Sequence, residues 1–242
     1  MDAINTAVKS LVNIIYPLRC ASCGRLLGTA DESGACRPCE ERIKTNPRPY
    51  CRSCGRSIDD VHGLCGECRV SPFYFSRAYS ACLYEGTMKE MIHAFKYRNN
   101  RRLSALFTRL MDDFVKANRE ITDSINTITF VPLHNKKRRE RGFNQSEVLA
   151  GALSKICGIP VCGCMVKKAH TKNQNELNRD QRLVNVSGAF GVKDGHDGLL
   201  KGRYVLLVDD VMTTGATLNE CSRALKEAGA SEVRCLTLAR GI

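Results

Sequence analysis

Apolar and polar residues follow two periods along this chain, and the switches between them mark its elements. Val205 to Val208 is an unbroken apolar run, the pattern of a strand covered on both faces in a parallel sheet. Ala78 to Tyr84, Thr127 to Leu133, Val161 to Val166 and Glu232 to Leu238 also read as strands. Between them, Met88 to Phe95, Leu103 to Val115, Ser146 to Cys157 and Ala216 to Ala228 read as helices; in the last, Leu218, Cys221, Leu225 and Ala228 share one face. Strands alternating with helices predict an α/β fold, a mostly parallel sheet flanked by helices. Residues 1–16 read as an amphipathic helix, 17–72 as a small cysteine-rich unit, and 73–242 as the α/β domain.

The cysteine-rich unit has almost no apolar periodicity, so something other than a large core must hold it. Eight of its cysteines form four Cys-x-x-Cys pairs: Cys20/Cys23, Cys36/Cys39, Cys51/Cys54 and Cys65/Cys68. Two such pairs close a tetrahedral four-thiolate site and leave no ligand position open for water, which favours structural zinc. Cys20–Cys39 and Cys51–Cys68 look like one unit written twice, a double zinc ribbon holding two ions; spacing alone leaves a crossed pairing and an iron–sulfur cluster open. Gly24 and Gly55 follow their pairs where a knuckle calls for positive φ. His62 reads as an exposed turn residue. Cys82, Cys157, Cys162, Cys164, Cys221 and Cys235 read as small core residues.

Charge is uneven. The chain carries a net +12, and between Lys136 and Arg182 eleven lysines and arginines face four acids. This region holds a basic loop after Leu133, with Lys136, Lys137, Arg138, Arg139, Arg141, Asn144 and Gln145, and a later stretch with Gln174 and Arg182. Both adjoin predicted strand ends, so the cations read as anion contacts for a pyrophosphate or a nucleic-acid backbone. No run approaches the roughly 18 uninterrupted apolar residues of a membrane helix, and the first residues lack a signal peptide's basic start. A cytoplasmic location without membrane insertion is the expectation.

After Val208 the chain reads Asp209-Asp210-Val211-Met212-Thr213-Thr214-Gly215-Ala216-Thr217. Paired acids end a buried strand, where open α/β sheets place ligands. A hydroxyl-rich turn then enters a helix N-terminus, which suits a phosphate monoester. Adjacent carboxylates repel an anion unless they face its hydroxyls or a divalent metal. The segment resembles the 5-phosphoribosyl-1-pyrophosphate (PRPP) motif of type I phosphoribosyltransferases. That resemblance implies Asp209 and Asp210 as catalytic acids facing the ribose diol and Mg2+, with residues 211–217 holding the 5-phosphate.

The order of the four cysteine pairs, Lys96-Tyr97, Arg141-Gly142-Phe143-Asn144-Gln145, the Gln174/Arg182/Asn185/Phe190 stretch and the acid motif resembles the ComF family over nearly the whole chain. The resemblance implies a cytoplasmic competence or DNA-utilisation protein that handles incoming single-stranded DNA and binds PRPP or a phosphorylated ribose. Tyr84, Phe95, Tyr97 and Phe143 beside basic residues offer stacking surfaces. The competing reading is an active phosphoribosyltransferase that transfers ribosyl phosphate to a nitrogen acceptor. A third is a ribbon scaffold docking a competence helicase or DNA translocation machinery. Cys20, the first cysteine, belongs to a knuckle, so no N-terminal glutaminase nucleophile is expected.

Overall fold

The computed structural model describes residues 18–28, 33–59, 63–168 and 186–241. The expected N-terminal helix, His62, Gln174, Arg182 and Asn185 lie outside them.

Four strands form a wholly parallel sheet: β1 (Arg77–Leu83), β2 (Thr127–Phe130), β5 (Tyr204–Met212) and β6 (Glu232–Arg240), in the order β1-β6-β5-β2. The short strands β3 (Met165–Lys167) and β4 (Phe190–Val192) pair antiparallel beside it. Along β5 the side chains alternate between two apolar layers, as the strand period requires. Leu206 and Val208 join the layer of α3 (Gly86–Tyr97), α4 (Leu103–Ala117) and α6 (Gln145–Cys157). Val205 and Leu207 join that of α8 (Ala216–Glu227), β3 and β4. This is the expected α/β architecture with both faces covered. Each layer also takes in one cysteine unit. Cys20, Cys36 and Cys39 belong to the α3/α4/α6 layer. Cys51, Cys54 and Cys68 belong to the α8 layer.

Three expectations change. The strand expected over Thr127 to Leu133 ends at Phe130, although Val131 N still donates to Val208 O at 3.0 Å; Pro132, which follows, has no N–H to donate to a ladder. The strand expected over Val161 to Val166 splits: Val161 makes an isolated parallel bridge to Ile128, and β3 then turns away to pair with β4. The basic loop after Leu133 is a helix, α5 (Asn135–Arg141). Its start is capped by His134, whose Nδ1 accepts from Lys136 N, and its end by Gly142 at φ 74°, the left-handed cap that glycine takes without strain. Short helices α1 (Arg37–Glu40), α2 (Gly66–Val70) and α7 (Asp197–Leu200) and a 3-10 turn at Arg119–Ile121 complete the described elements.

Candidate functional site

The early end of β2 shapes the site. β5 pairs with β6 through Met212, whereas its pairing with β2 stops at Val208. From Asp209 onward one side of β5 is therefore uncovered, and a cavity of about 170 Å³ opens there. Asp209, Asp210, Val211, Met212, Thr213, Thr214, Gly215, Ala216 and Thr217 all line it. Gly215 takes φ 83° as the N-terminal cap of α8. A Cβ at that position would stand 2.7 Å from Met212 Cε and 3.3 Å from Phe73 Cε1, so the turn admits only glycine. The start of this 12-residue helix, Ala216 to Leu218, lines the cavity, and a helix N-terminus favours an anion there.

The acids are held from three sides. Asn144 caps α6, accepting from Ser146 N at 3.1 Å and donating to Val131 O at 3.0 Å. The cap aims Ser146 Oγ at Asp209 Oδ1, 2.7 Å away. Lys96, near the end of α3, places Nζ 2.6 Å from Asp210 Oδ1. Burial disfavours the Lys96 ammonium, but Asp210 outweighs it and the pKa is raised. Asp209 is pushed up to about 7, first by burial and then by Asp210, against the pull of Lys96 and Ser146. One carboxyl is thus ion-paired and the other holds a proton near neutrality.

Lys137, Arg141 and Lys167 line the same cavity as the acids. Burial and then Arg141 lower Lys137; burial and then Lys137 bring Lys167 down to about 8. Mutual repulsion among partly buried cations is relieved by a polyanion. Arg141 donates to Gln145 Oε1 at 3.2 Å, and Gln145 Nε2, buried at the cavity wall, has no partner among the described residues.

The expected basic residues therefore divide. Lys137, Arg141 and Gln145 line the cavity, while Lys136, Arg138 and Arg139 lie exposed on the outer side of α5. Asn144 is buried and committed to capping. Of the aromatics offered for stacking, Phe95 and Phe143 are core, 5.1 Å apart, whereas Tyr97 is 53% exposed beneath the Arg141 guanidinium. Ser146 and Lys167 were not singled out from sequence. Ser146 follows the cap it depends on, a usable signal; Lys167 carries none.

The eight paired cysteines form two separate clusters in sequence order, Cys20/Cys23/Cys36/Cys39 and Cys51/Cys54/Cys65/Cys68, the sulfurs of each within 4.8 Å of one another. The crossed pairing is thereby excluded. Cys23 and Cys36 Sγ are 3.7 Å apart, and Cys54 and Cys65 Sγ 3.8 Å; tetrahedral zinc with Zn–S of about 2.3 Å sets its sulfurs about 3.8 Å apart. The knuckles are copies. Cys36 N donates to Cys20 Sγ as Cys65 N does to Cys51 Sγ, and Gly24 and Gly55 take φ 74° and 67°. Both clusters fit structural zinc.

Residues 144–242 match the phosphoribosyl transferase domain model, and residues 11–69 the double zinc ribbon domain model. Together with the parallel sheet and two four-cysteine clusters, these matches define a phosphoribosyltransferase-type α/β protein preceded by a double zinc ribbon. Competence protein F of Haemophilus influenzae is 31% identical over 229 residues, 93% of this chain and 98% of that protein. DNA utilization protein YhgH of Escherichia coli K12 is 30% identical over 86% of this chain and 90% of its own. Competence protein ComFC of Bacillus subtilis is 28% identical over 85% and 83%. This chain belongs to the competence protein F (ComF) family.

Proposed function

We propose that this protein handles single-stranded DNA in the cytoplasm during DNA uptake or utilisation, and that its cavity binds PRPP or another ribose 5-phosphate with Mg2+. One observation carries the ligand reading: the acid pair and threonine turn share one cavity with Lys137, Arg141 and Lys167. In it the 5-phosphate meets the start of α8, the diol meets Asp209 and Asp210, and the pyrophosphate meets the cations. The names of the relatives, competence and DNA utilization proteins, support the DNA reading, as do the exposed Lys136, Arg138 and Arg139 of α5.

Asp209→Asn with Asp210→Asn is expected to abolish Mg2+-dependent PRPP binding in calorimetry while zinc content stays unchanged; retained affinity would refute the assignment. Diol and metal both require ionised Asp209, whose folded pKa stands near 7. Affinity in the unsubstituted protein is therefore expected to rise between about pH 6 and about pH 8, by up to about tenfold per pH unit below the pKa. A flat profile would show that Asp209 does not titrate with the ligand. For DNA, Arg138, Arg139 and Arg141 changed together to Ala should weaken single-strand binding and reduce the log–log salt slope by about 2. An unaltered slope would dismiss α5 as the DNA contact.

A second reading, turnover of PRPP with release of pyrophosphate, is favoured by the same cation wall. It places the positive charge where a leaving pyrophosphate develops negative charge. Pyrophosphate release in the presence of nitrogen acceptors tests it.

A further inference from the structure

The second cysteine cluster and the phosphate turn are joined by one buried residue. Arg240 ends β6 with its side chain in the interior, only 3% exposed, and its Nε and Nη1 have no hydrogen-bond partner among the described residues. A guanidinium so placed must face an anion or pay several kcal/mol for burying an unpaired charge. Its register partner Met212 lies in the same layer as Cys51, Cys54 and Cys68; burial disfavours the guanidinium most, Cys54, Cys65 and Cys68 favour its charge, and Arg56 opposes it. Four thiolates around a divalent ion carry net charge −2, so the metal-loaded second cluster supplies the missing anion.

The backbone of the same residue belongs to the phosphate site. Arg240 is the register partner of Met212 in β5, the residue before Thr213. Gly241 N donates to Met212 O at 2.8 Å, and Gly241 packs so closely on Thr213 that a Cβ there would lie 3.2 Å from its methyl. A second connection runs alongside. The chain leaving the cluster lays Phe73 over Gly215, and Tyr74 N donates to Asn219 Oδ1 of α8 at 2.7 Å. Among the described residues the first cluster makes no hydrogen bond to the phosphate turn; it packs in the opposite layer, where Arg42 donates to Cys39 Sγ at 3.0 Å.

We propose that Arg240 is a positioning residue whose guanidinium balances the second metal–thiolate cluster while its backbone sets the phosphate turn, so that the second zinc and the phosphorylated ligand stabilise one another. The first zinc takes no part. This rests on the PRPP-type reading of the cavity. Binding coupling is reciprocal, so the ligand must tighten the second zinc by the factor with which that zinc favours the ligand, and such tightening is expected to show as slower release.

Zinc release to a colorimetric chelator is followed in the full chain, with and without PRPP and Mg2+. Arg240→Met and Arg240→Lys are compared with the unsubstituted protein, and Cys20→Ser with Cys23→Ser identifies the second-site signal. In Arg240→Met the second zinc is expected to leave about 10-fold faster or more, the first at its former rate, with PRPP affinity falling by about 10-fold; Arg240→Lys recovers part of both. Ligand slows second-site release in the unsubstituted protein and loses that effect in Arg240→Met, a change that a general loosening of the fold would not single out. PRPP that binds and leaves both release rates unaltered overturns the coupling. An unaltered second-site rate in Arg240→Met overturns the charge-balancing role. If calorimetry shows no PRPP binding at all, the reading of the cavity falls instead.

Discussion

The two ribbons are built alike and placed differently. Each has two Cys-x-x-Cys knuckles, a positive-φ glycine after its first pair and a backbone N–H on its first sulfur. The first packs on the α3/α4/α6 layer, with Cys23 exposed. The second packs under the phosphate turn, with Cys51 and Cys54 almost wholly buried and Gly55 against β1. Identical local chemistry thus serves different ends, and the difference comes from neighbours rather than ligands.

The strongest way to break this comparison is to remove each metal in turn. Cys51→Ser with Cys54→Ser is expected to cost most of the chain's stability, since a structural zinc site contributes on the order of 10 kcal/mol of folding free energy. The α8 layer should lose cooperative unfolding. Cys20→Ser with Cys23→Ser should instead loosen one ribbon and leave that layer's hydrogen-exchange protection in place. Equal protection profiles would erase the distinction. The paired glycines sharpen it at smaller scale. At Gly24 an added Cβ meets open space, so alanine costs only left-handed strain, about 1 kcal/mol. At Gly55 the same Cβ falls 2.4 Å from Ala78 O, a backbone atom that cannot yield, and alanine should cost about 3 kcal/mol or more. Thermal melts that shift equally for the two would show that the second ribbon is not fixed to the sheet. The smallest effect is expected at Arg42, whose contact to Cys39 is at the surface. Arg42→Ala should speed first-site zinc release only a few-fold, because the exposed guanidinium is screened by water.

How far the sequence disclosed this arrangement depends on which forces act locally. Val205 to Asp210, the α8 face and the cysteine pairs were legible because strand burial, helix period and metal knuckles all write short-range patterns. The helical state of residues 135–141 was not, for a wholly polar helix has no apolar stripe; its signals were its caps, His134 and Gly142. The cavity itself depends on where β2 stops, and Val131-Pro132-Leu133 conceals that stop inside an apolar run. Lys96 was visible only as part of the ComF pattern, and its ion pair spans more than a hundred residues. Arg240 lay beyond the expected strand, which stopped at Leu238, and nothing in the local pattern signals its burial.

The segment between the ribbons has a further consequence. Leu83 N donates to Lys44 O, Asn46 N donates to Ala81 O, and Thr45 bridges Cys82 antiparallel along the outer side of β1. A parallel sheet would otherwise present that edge, with its unspent donors and acceptors, to any neighbouring chain. A cysteine knuckle flanks this strip on each side in the chain, so removal of the metals is expected to loosen the strip, expose the edge and promote self-association, which light scattering after chelation checks.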